Sequence, residues 1–473
     1  MTASPDLRLD QPAGRWVLVA TVLGSGVALL DATVVTIALP AIGRDLGGGL
    51  GALQWIVNGY TLTLAAFILL GGSLGDLLGR RRVFVVGAVW FAAASLLCAL
   101  ATSMWVLVAA RALQGIGGAL MTPGSLAIIS ATFHPQDRAR AIGAWSGLGG
   151  VAGAAGPFVG GWLLAAASWR WLFLINLPLV AVVVVVAVRH VPETRDEQAS
   201  PRLDVTGALT GALGLASLTY GLVALGSSGR AAVPALVVGV VVLIAFVLVE
   251  RRSSHPMVAL SVFASRLFTA INVVTLLVYA ALGGFFFVLV LQLQVVAGFS
   301  PLGSGMALLP VTLLMLIGSA RVGALAQRLG ARVFMTAGPL VSAAGLAVAL
   351  PIGAASGWTR VLAAMALFGL GLTLTVAPLT AAVLGAASSR HAGVASGVNN
   401  AVARTAGLLA VAGLPVAAGL TDAATADPAL FDAGYERTLL LCIVLLVAGA
   451  VVAALTTREA LAPTPAPTPA PGT

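Results

Sequence analysis

The sequence predicts an all-helical polytopic membrane protein, two six-helix bundles plus two inserted helices, giving fourteen transmembrane spans. Three observations predict it. Of the 473 residues 59% are hydrophobic and only 9% are charged, whereas a soluble domain carries roughly a quarter charged residues, so a water-soluble globule is excluded. The apolar residues gather into uncharged runs long enough to cross about 30 Å of hydrocarbon at about 1.5 Å per residue. The arginines then alternate between rich and poor loops along the chain, a pattern that a miscounted helix would scramble.

The expected spans run 16–42, 53–75, 83–101, 103–126, 141–166 and 171–188, forming an N-terminal bundle over 16–188. An inserted pair follows at 205–226 and 231–249, so the segment 205–249 stands between the halves and is expected at the bundle periphery. The C-terminal bundle over 267–457 comprises 267–295, 301–320, 333–351, 360–384, 392–420 and 438–457. Outside the spans lie an N-terminal segment (1–15), loops at 189–204 and 250–266, a polar loop near 421–437 with Asp422, Asp427, Asp432 and Glu436, and a Pro-rich tail at 458–473.

All 25 basic residues are arginine and the formal net charge is +9. In so apolar a chain that surplus reads as a topology signal and not as a nucleic-acid surface. Nineteen arginines, among them Arg8, Arg80, Arg81, Arg82, Arg202, Arg321, Arg390, Arg404 and Arg458, sort to one side. Arg44, Arg170, Arg230, Arg360 and Arg437 sort to the other, and Arg111 lies within a span. The expected placement is multi-pass in the inner (plasma) membrane, with both termini and the Arg-rich loops cytoplasmic. The first span lacks a small-residue cleavage site, so its retention is expected.

Cys98 and Cys442 sit in apolar runs and supply no disulfide framework. His134, His190, His255 and His391 fall at loops or helix ends without metal-ligand spacing. There is no phosphate-binding loop either. No cofactor or metal is expected, a membrane-embedded enzyme is disfavoured, and the working unit is expected to be a monomer in the bilayer.

The segment GSLGDLLGRRRVF at 72–84 recurs in weaker form as GALAQRLGARVFM at 323–335, each copy at the junction after a span. The chain therefore reads as two related halves. The first copy resembles the loop signature of the major facilitator superfamily, G-x-L-A-D-x-x-G-x-[RK], with Gly75 where Ala is usual and Leu77 where Arg is often found. Four further segments resemble motifs of its fourteen-helix drug:proton antiporter branch: LDATVVTIALP at 30–40, with Thr36 in place of Asn, RALQGIGGAL at 111–120, GVAGAAGPFVGG at 150–161 and WRWLFLINLP at 169–178. The resemblance implies alternating access driven by the proton gradient, with protons and a small amphipathic molecule as partners. It implies export of lipophilic or cationic compounds, as in multidrug or antibiotic efflux. An importer or a lipid-moving protein of the same fold shares the physical features.

Among the 16 acidic residues only Asp31 lies well inside a span, and an ionisable group in lipid is a functional candidate by default. Asp31 and Arg111 both fall roughly 12 to 15 Å below the same membrane face, so they can face each other across a shared cavity, either as a proton-coupling pair, which the resemblance also implies, or as a static ion pair that only locks two helices. Gln114, one turn from Arg111, shares its face. Cavity candidates are the polar and aromatic residues of the spans: Trp55, Asn58 and Tyr60, Trp145, Asn272, Tyr279, Gln292 and Gln294, Asn399 and Asn400. A cavity with one acid suits neutral or monocationic lipophilic substrates. For the gate, Asp76 with Gly79, Arg80, Arg81 and Arg82 forms a latch, asymmetric because Gln327 replaces the acid in the second copy. Gly153, Gly156, Pro157 and Gly160 permit a bend and close contact with the other half.

Overall fold

The computed structural model describes residues 7–196, 203–227, 229–253, 256, 260–354, 356–386, 392–422 and 427–456. The Pro-rich tail, Glu197, Arg202, His255, Arg390, His391 and Arg458 lie outside the described residues. The N-terminal bundle contains α1 (Pro12–Leu46), α2 (Leu50–Leu78), α3 (Arg80–Ala99), α4 (Met104–Thr132), α5 (Pro135–Ala166), α6 (Trp171–Leu174) and α7 (Asn176–His190). The inserted pair is α8 (Val205–Leu225) and α9 (Ala232–Arg252). The C-terminal bundle contains α10 (Arg266–Leu291), continued by a π-helical turn Gln292–Val296, then α11 (Pro301–Ala307), α12 (Leu309–Leu329), α13 (Ala331–Ala349), α14 (Trp358–Gly385), α15 (Ala392–Ala417) and α16 (Pro428–Thr456). Thirteen helices among the described residues are long and apolar enough to cross a membrane, and α5 occupies the place of the fifth expected span.

The helices overrun the expected spans because backbone hydrogen bonding continues beyond the apolar run. The polar loop expected over 421–437 is the largest such difference: α16 starts at Pro428, so Asp432, Glu436 and Arg437 are helical. Helix starts are secured by hydroxyl caps, as at Ser103, Ser265 and Ser300, whose oxygens accept from Val106 N, Phe268 N and Gly303 N. Arg404 corrects the arginine sorting. Counted with the cytoplasmic set although it falls inside the expected span 392–420, it lies midway along α15 and not in a loop.

Both halves use one plan. In the first, α2 and α3 pack on α4, while α7 packs on α1 and α3, and α1 on α5. In the second, α12 and α13 pack on α14, while α16 packs on α10 and α13, and α10 on α15. Span for span these are the same pairings. The halves meet through α2 with α15 and through α5 with α11, again an exchange of equivalent helices. The repeated junctions share a backbone detail: Gly79 and Gly330 have φ of 110° and 86°, a region an L side chain enters only with strain.

Contacts between halves cluster at the end carrying few arginines. There Pro157 meets Gly305, Gly161 meets Leu302, Gln294 donates to Ile37 O (2.9 Å), and Asp422 accepts from Gly51 N (3.1 Å). The inserted α8 leans on both α2 and α15, and α9 leans on α8. The outer face of α9 exposes Val233, Val237, Val241 and Ile244, as a lipid-facing helix does.

Small residues bring backbones together in lipid, where no hydrophobic force drives helices to associate. A Cβ on Gly117 of α4 would lie 2.7 Å from Phe91 N of α3. Gly117→Ala is therefore expected to destabilise the fold by about 1–3 kcal/mol, read as a lowered thermal unfolding midpoint in nanodiscs. Gly143→Ala, with open space at its Cβ, leaves the midpoint unchanged within error; equal midpoints for the two variants refute the close-packing account.

Candidate functional site

Four helices of the N-terminal bundle converge on one buried carboxylate. Asp31 of α1 is 0% exposed and Arg111 of α4 is 1% exposed. Arg111 Nη1 donates to Asp31 Oδ2 at 2.5 Å. The other carboxylate oxygen accepts from Gln114 Nε2 (2.9 Å) and from Asn176 Nδ2 of α7 (2.8 Å). Those two amides also donate to Ser95 Oγ of α3, at 2.6 and 3.1 Å. Arg111 also donates from Nη1 to Gln114 Oε1 (2.5 Å) and from Nε to Ile56 O (3.3 Å). The Tyr60 ring covers the guanidinium, with its centroid 4.3 Å from Cζ, and Phe173 lies at 5.9 Å.

Equal depth predicted that Asp31 and Arg111 could meet, and they do. They meet in direct contact inside one bundle, where the sequence reading set a shared cavity between them, because a desolvated carboxylate draws every available donor onto itself. Asn176 and Ser95 were missed. Asn176 carried a signal, being the only amide in the sixth expected span; Ser95, a small hydroxyl in an Ala-rich run, carried none.

The other candidates divide by position. Gln114 and Tyr60 belong to the buried cluster. Asn58 of α2 is 0% exposed with neither side-chain atom hydrogen-bonded, and Trp55 is half-buried on the same helix. Trp145 Nε1 donates to Ser25 Oγ (3.1 Å), tying α5 to α1. In the second half Asn399 donates to Asn272 Oδ1 (3.1 Å) and Thr275 Oγ1 (2.8 Å), joining α15 to α10, and Tyr279 sits half-buried one to two turns along. Gln292 donates to Ile352 O (2.6 Å) and to Asp432, at the Arg-poor end. Asn400 is exposed and bonds Ser396 O within its own helix.

At the Arg-rich end Asp76 accepts from Arg80 Nε at 2.8 Å. The acid at the first turn of α3 is a different one. Glu193, in the segment after α7, accepts from Arg81 N at 3.0 Å and lies 3.6 and 3.7 Å from the Nε atoms of Arg81 and Arg82. Arg80 N bonds Thr194 O, and Asp196 N bonds Asp76 O, so residues 191–196 strap the junction. On α5, Gly153 O accepts from Thr33 Oγ1, and Gly156 and Gly160 rest on Thr33 and Val34 of α1, whereas Pro157 touches α11.

A buried carboxylate loses about 1.5–3 kcal/mol when a donor to it is removed. Asn176→Ala is expected to lower stability by that amount, measured by thermal or denaturant unfolding in nanodiscs. In an Asp31→Asn background the same change costs less than half as much, and a cost that is identical in both backgrounds would show that Asn176 acts elsewhere.

The profile of the Major Facilitator Superfamily matches residues 21–412. The chain is 36% identical over 420 residues to multidrug resistance protein Stp of Mycobacterium tuberculosis, covering 87% of this chain and 77% of the relative. It is 36% identical over 403 residues to the tetracenomycin C resistance and export protein of Streptomyces glaucescens, covering 84% and 75%. Puromycin resistance protein pur8 of Streptomyces alboniger is also 36% identical, over 424 residues, covering 88% and 84%. Among solved structures, an auto-inhibited POT family peptide transporter superposes with a TM-score of 0.67 over 94% of this chain and 97% of that one at 19% identity, a likeness of fold. With the profile spanning most of the sequence and the paired-helix plan repeated in both halves, the chain belongs to the Major Facilitator Superfamily and is a multi-pass membrane transporter, not an enzyme.

Proposed function

We propose that this transporter exports amphipathic small molecules in exchange for protons, with Asp31 as the proton carrier. The observation that carries this reading is the convergence of Arg111, Gln114 and Asn176 on the one acid buried deep in a span. Its relatives' names, which speak of multidrug resistance and of antibiotic resistance and export, support the same direction.

The coupling follows from charge balance. Ionised, Asp31 neutralises Arg111 and holds α1, α4 and α7 together through its two oxygens. Protonation removes that charge, so the cluster keeps an arginine whose remaining acceptors are Gln114 Oε1 and Ile56 O. An uncompensated guanidinium in a dry site costs several kcal/mol, enough to shift which arrangement of the bundle is favoured. The guanidinium lies under Tyr60 on α2, the helix that meets α15 of the other half, so the change reaches the contact along which the halves rock. We place the Arg-rich end and both termini in the cytoplasm; the contacts at the Arg-poor end then describe a state closed to the outside. The protein works in the plasma membrane as a monomer.

Expression of the wild type in a host stripped of its own pumps is expected to protect against a panel of amphipathic antibiotics. Asp31→Asn is expected to cut pH-gradient-driven transport in everted vesicles at least tenfold, with normal membrane insertion. Sensitisation by the wild type would point to import, and full gradient-driven transport by Asp31→Asn would remove Asp31 from the coupling step.

A further inference from the structure

Among the described residues a half-buried cation of the membrane interior lacks a hydrogen-bond or ion-pair partner. Arg404 sits midway along α15, half-buried, and among the described residues no carboxylate or hydrogen bond engages its guanidinium. Register places it. Gln54 of α2 donates to the carbonyls of Val411 and Ala412 on α15, at 2.7 and 3.3 Å. Further along, a Cβ on Gly397 would lie 2.9 Å from Leu69 Cδ2. The two helices therefore run antiparallel, and interpolation between these contacts sets Arg404 level with Thr61. Residues 397, 404 and 411 are seven apart and share one helix face, so Arg404 faces the seam between the two halves.

A second observation points to a ligand there. Asn58 lies one turn from Thr61 on the α2 face that carries Gln54 and Leu69, is 0% exposed, and leaves both side-chain polar atoms unpartnered. An unpaired guanidinium and an unpaired amide in lipid are each costly. Asp31 does not offset Arg404, because its carboxylate is turned into the N-terminal bundle and held by Arg111. The seam thus pairs an unpartnered positive charge with an unpartnered amide.

We propose that Arg404 anchors the negatively charged group of an amphipathic aromatic anion, a carboxylate or sulfonate, with Asn58 bonding a polar substituent of the same molecule. The planar guanidinium offers parallel donors that match such a group. The proposal rests on the export reading for the fate of the cargo and replaces the neutral or monocationic substrate expected from the sequence. It makes the seam repel monocations.

The test uses the full-length protein in nanodiscs of zwitterionic phosphatidylcholine and two probes, 2-naphthalenesulfonate and trimethyl(2-naphthylmethyl)ammonium. The sulfonate is expected to bind at least tenfold more tightly than the ammonium ion. Arg404→Gln loses at least tenfold in sulfonate affinity while keeping its thermal midpoint, and Arg404→Lys recovers part of it. Equal sulfonate affinity in wild type and Arg404→Gln, or tighter binding of the ammonium probe, overturns the assignment. Abolition of sulfonate binding by adding phosphatidylglycerol also overturns it, since the seat then belongs to a lipid phosphate. Asp31→Asn separates the two readings: it is expected to keep sulfonate binding and lose gradient-driven transport. Loss of anion binding in Arg404→Gln upholds the anchor whichever way the Asp31 transport assay falls.

Discussion

A carboxylate placed about halfway through a bilayer must be neutralised by protein, because no water reaches it. In this transporter Asp31 meets that requirement with donors from α4 and α7, and Ser95 of α3 in turn holds two of those donors in place. Much of the first bundle's arrangement answers to this demand. Helices α3 and α7 bring Ser95 and Asn176 inward. Gly115 and Gly117 let α4 approach α2 and α3 closely enough for Arg111 to reach Asp31.

The two halves share helix pairings but not chemistry. The first concentrates its polar groups in a charged cluster. The second has instead a neutral network between α10 and α15, Asn272 and Thr275 with Asn399, and the arginine-bearing face of α15. The junctions diverge in the same manner. Both keep the positive-φ glycine, Gly79 or Gly330, since the backbone must turn sharply there. Only the first keeps an acid, Asp76, and it adds Glu193 from the strap over the start of α3. Backbone geometry is thus retained at both junctions where sterics demand it, whereas the acid is retained only at the first.

Much of the fold was legible because lipid simplifies the code: an uncharged run of sufficient length has few options besides a helix. Asp31 and Arg111 were legible for the same reason, as ionisable groups whose depth follows from counting residues. Asn176 was legible in principle as a lone amide among valines. Ser95 was not, because a serine in a membrane helix commonly bonds its own backbone, as Ser73, Ser125 and Ser319 do here. Arg404 was sorted with the loop arginines although it falls inside the expected span 392–420, and Glu193 was missed because a loop acid carries no sign of what it will cap.

The amino-acid sequence by itself determined the helix count, the repeat between residues 72–84 and 323–335, and the depth of the one buried acid. Each depends on quantities local to the chain, namely run length, charge and spacing. Only the tertiary structure decided which face of α15 meets α2, and hence that Arg404 looks into the seam. It also decided that Asn176 crosses from α7 to Asp31, and that Glu193 seats on α3. Helical periodicity fixes which residues share a face, but the partner that face meets is set by how whole helices pack, through contacts between residues far apart in the chain.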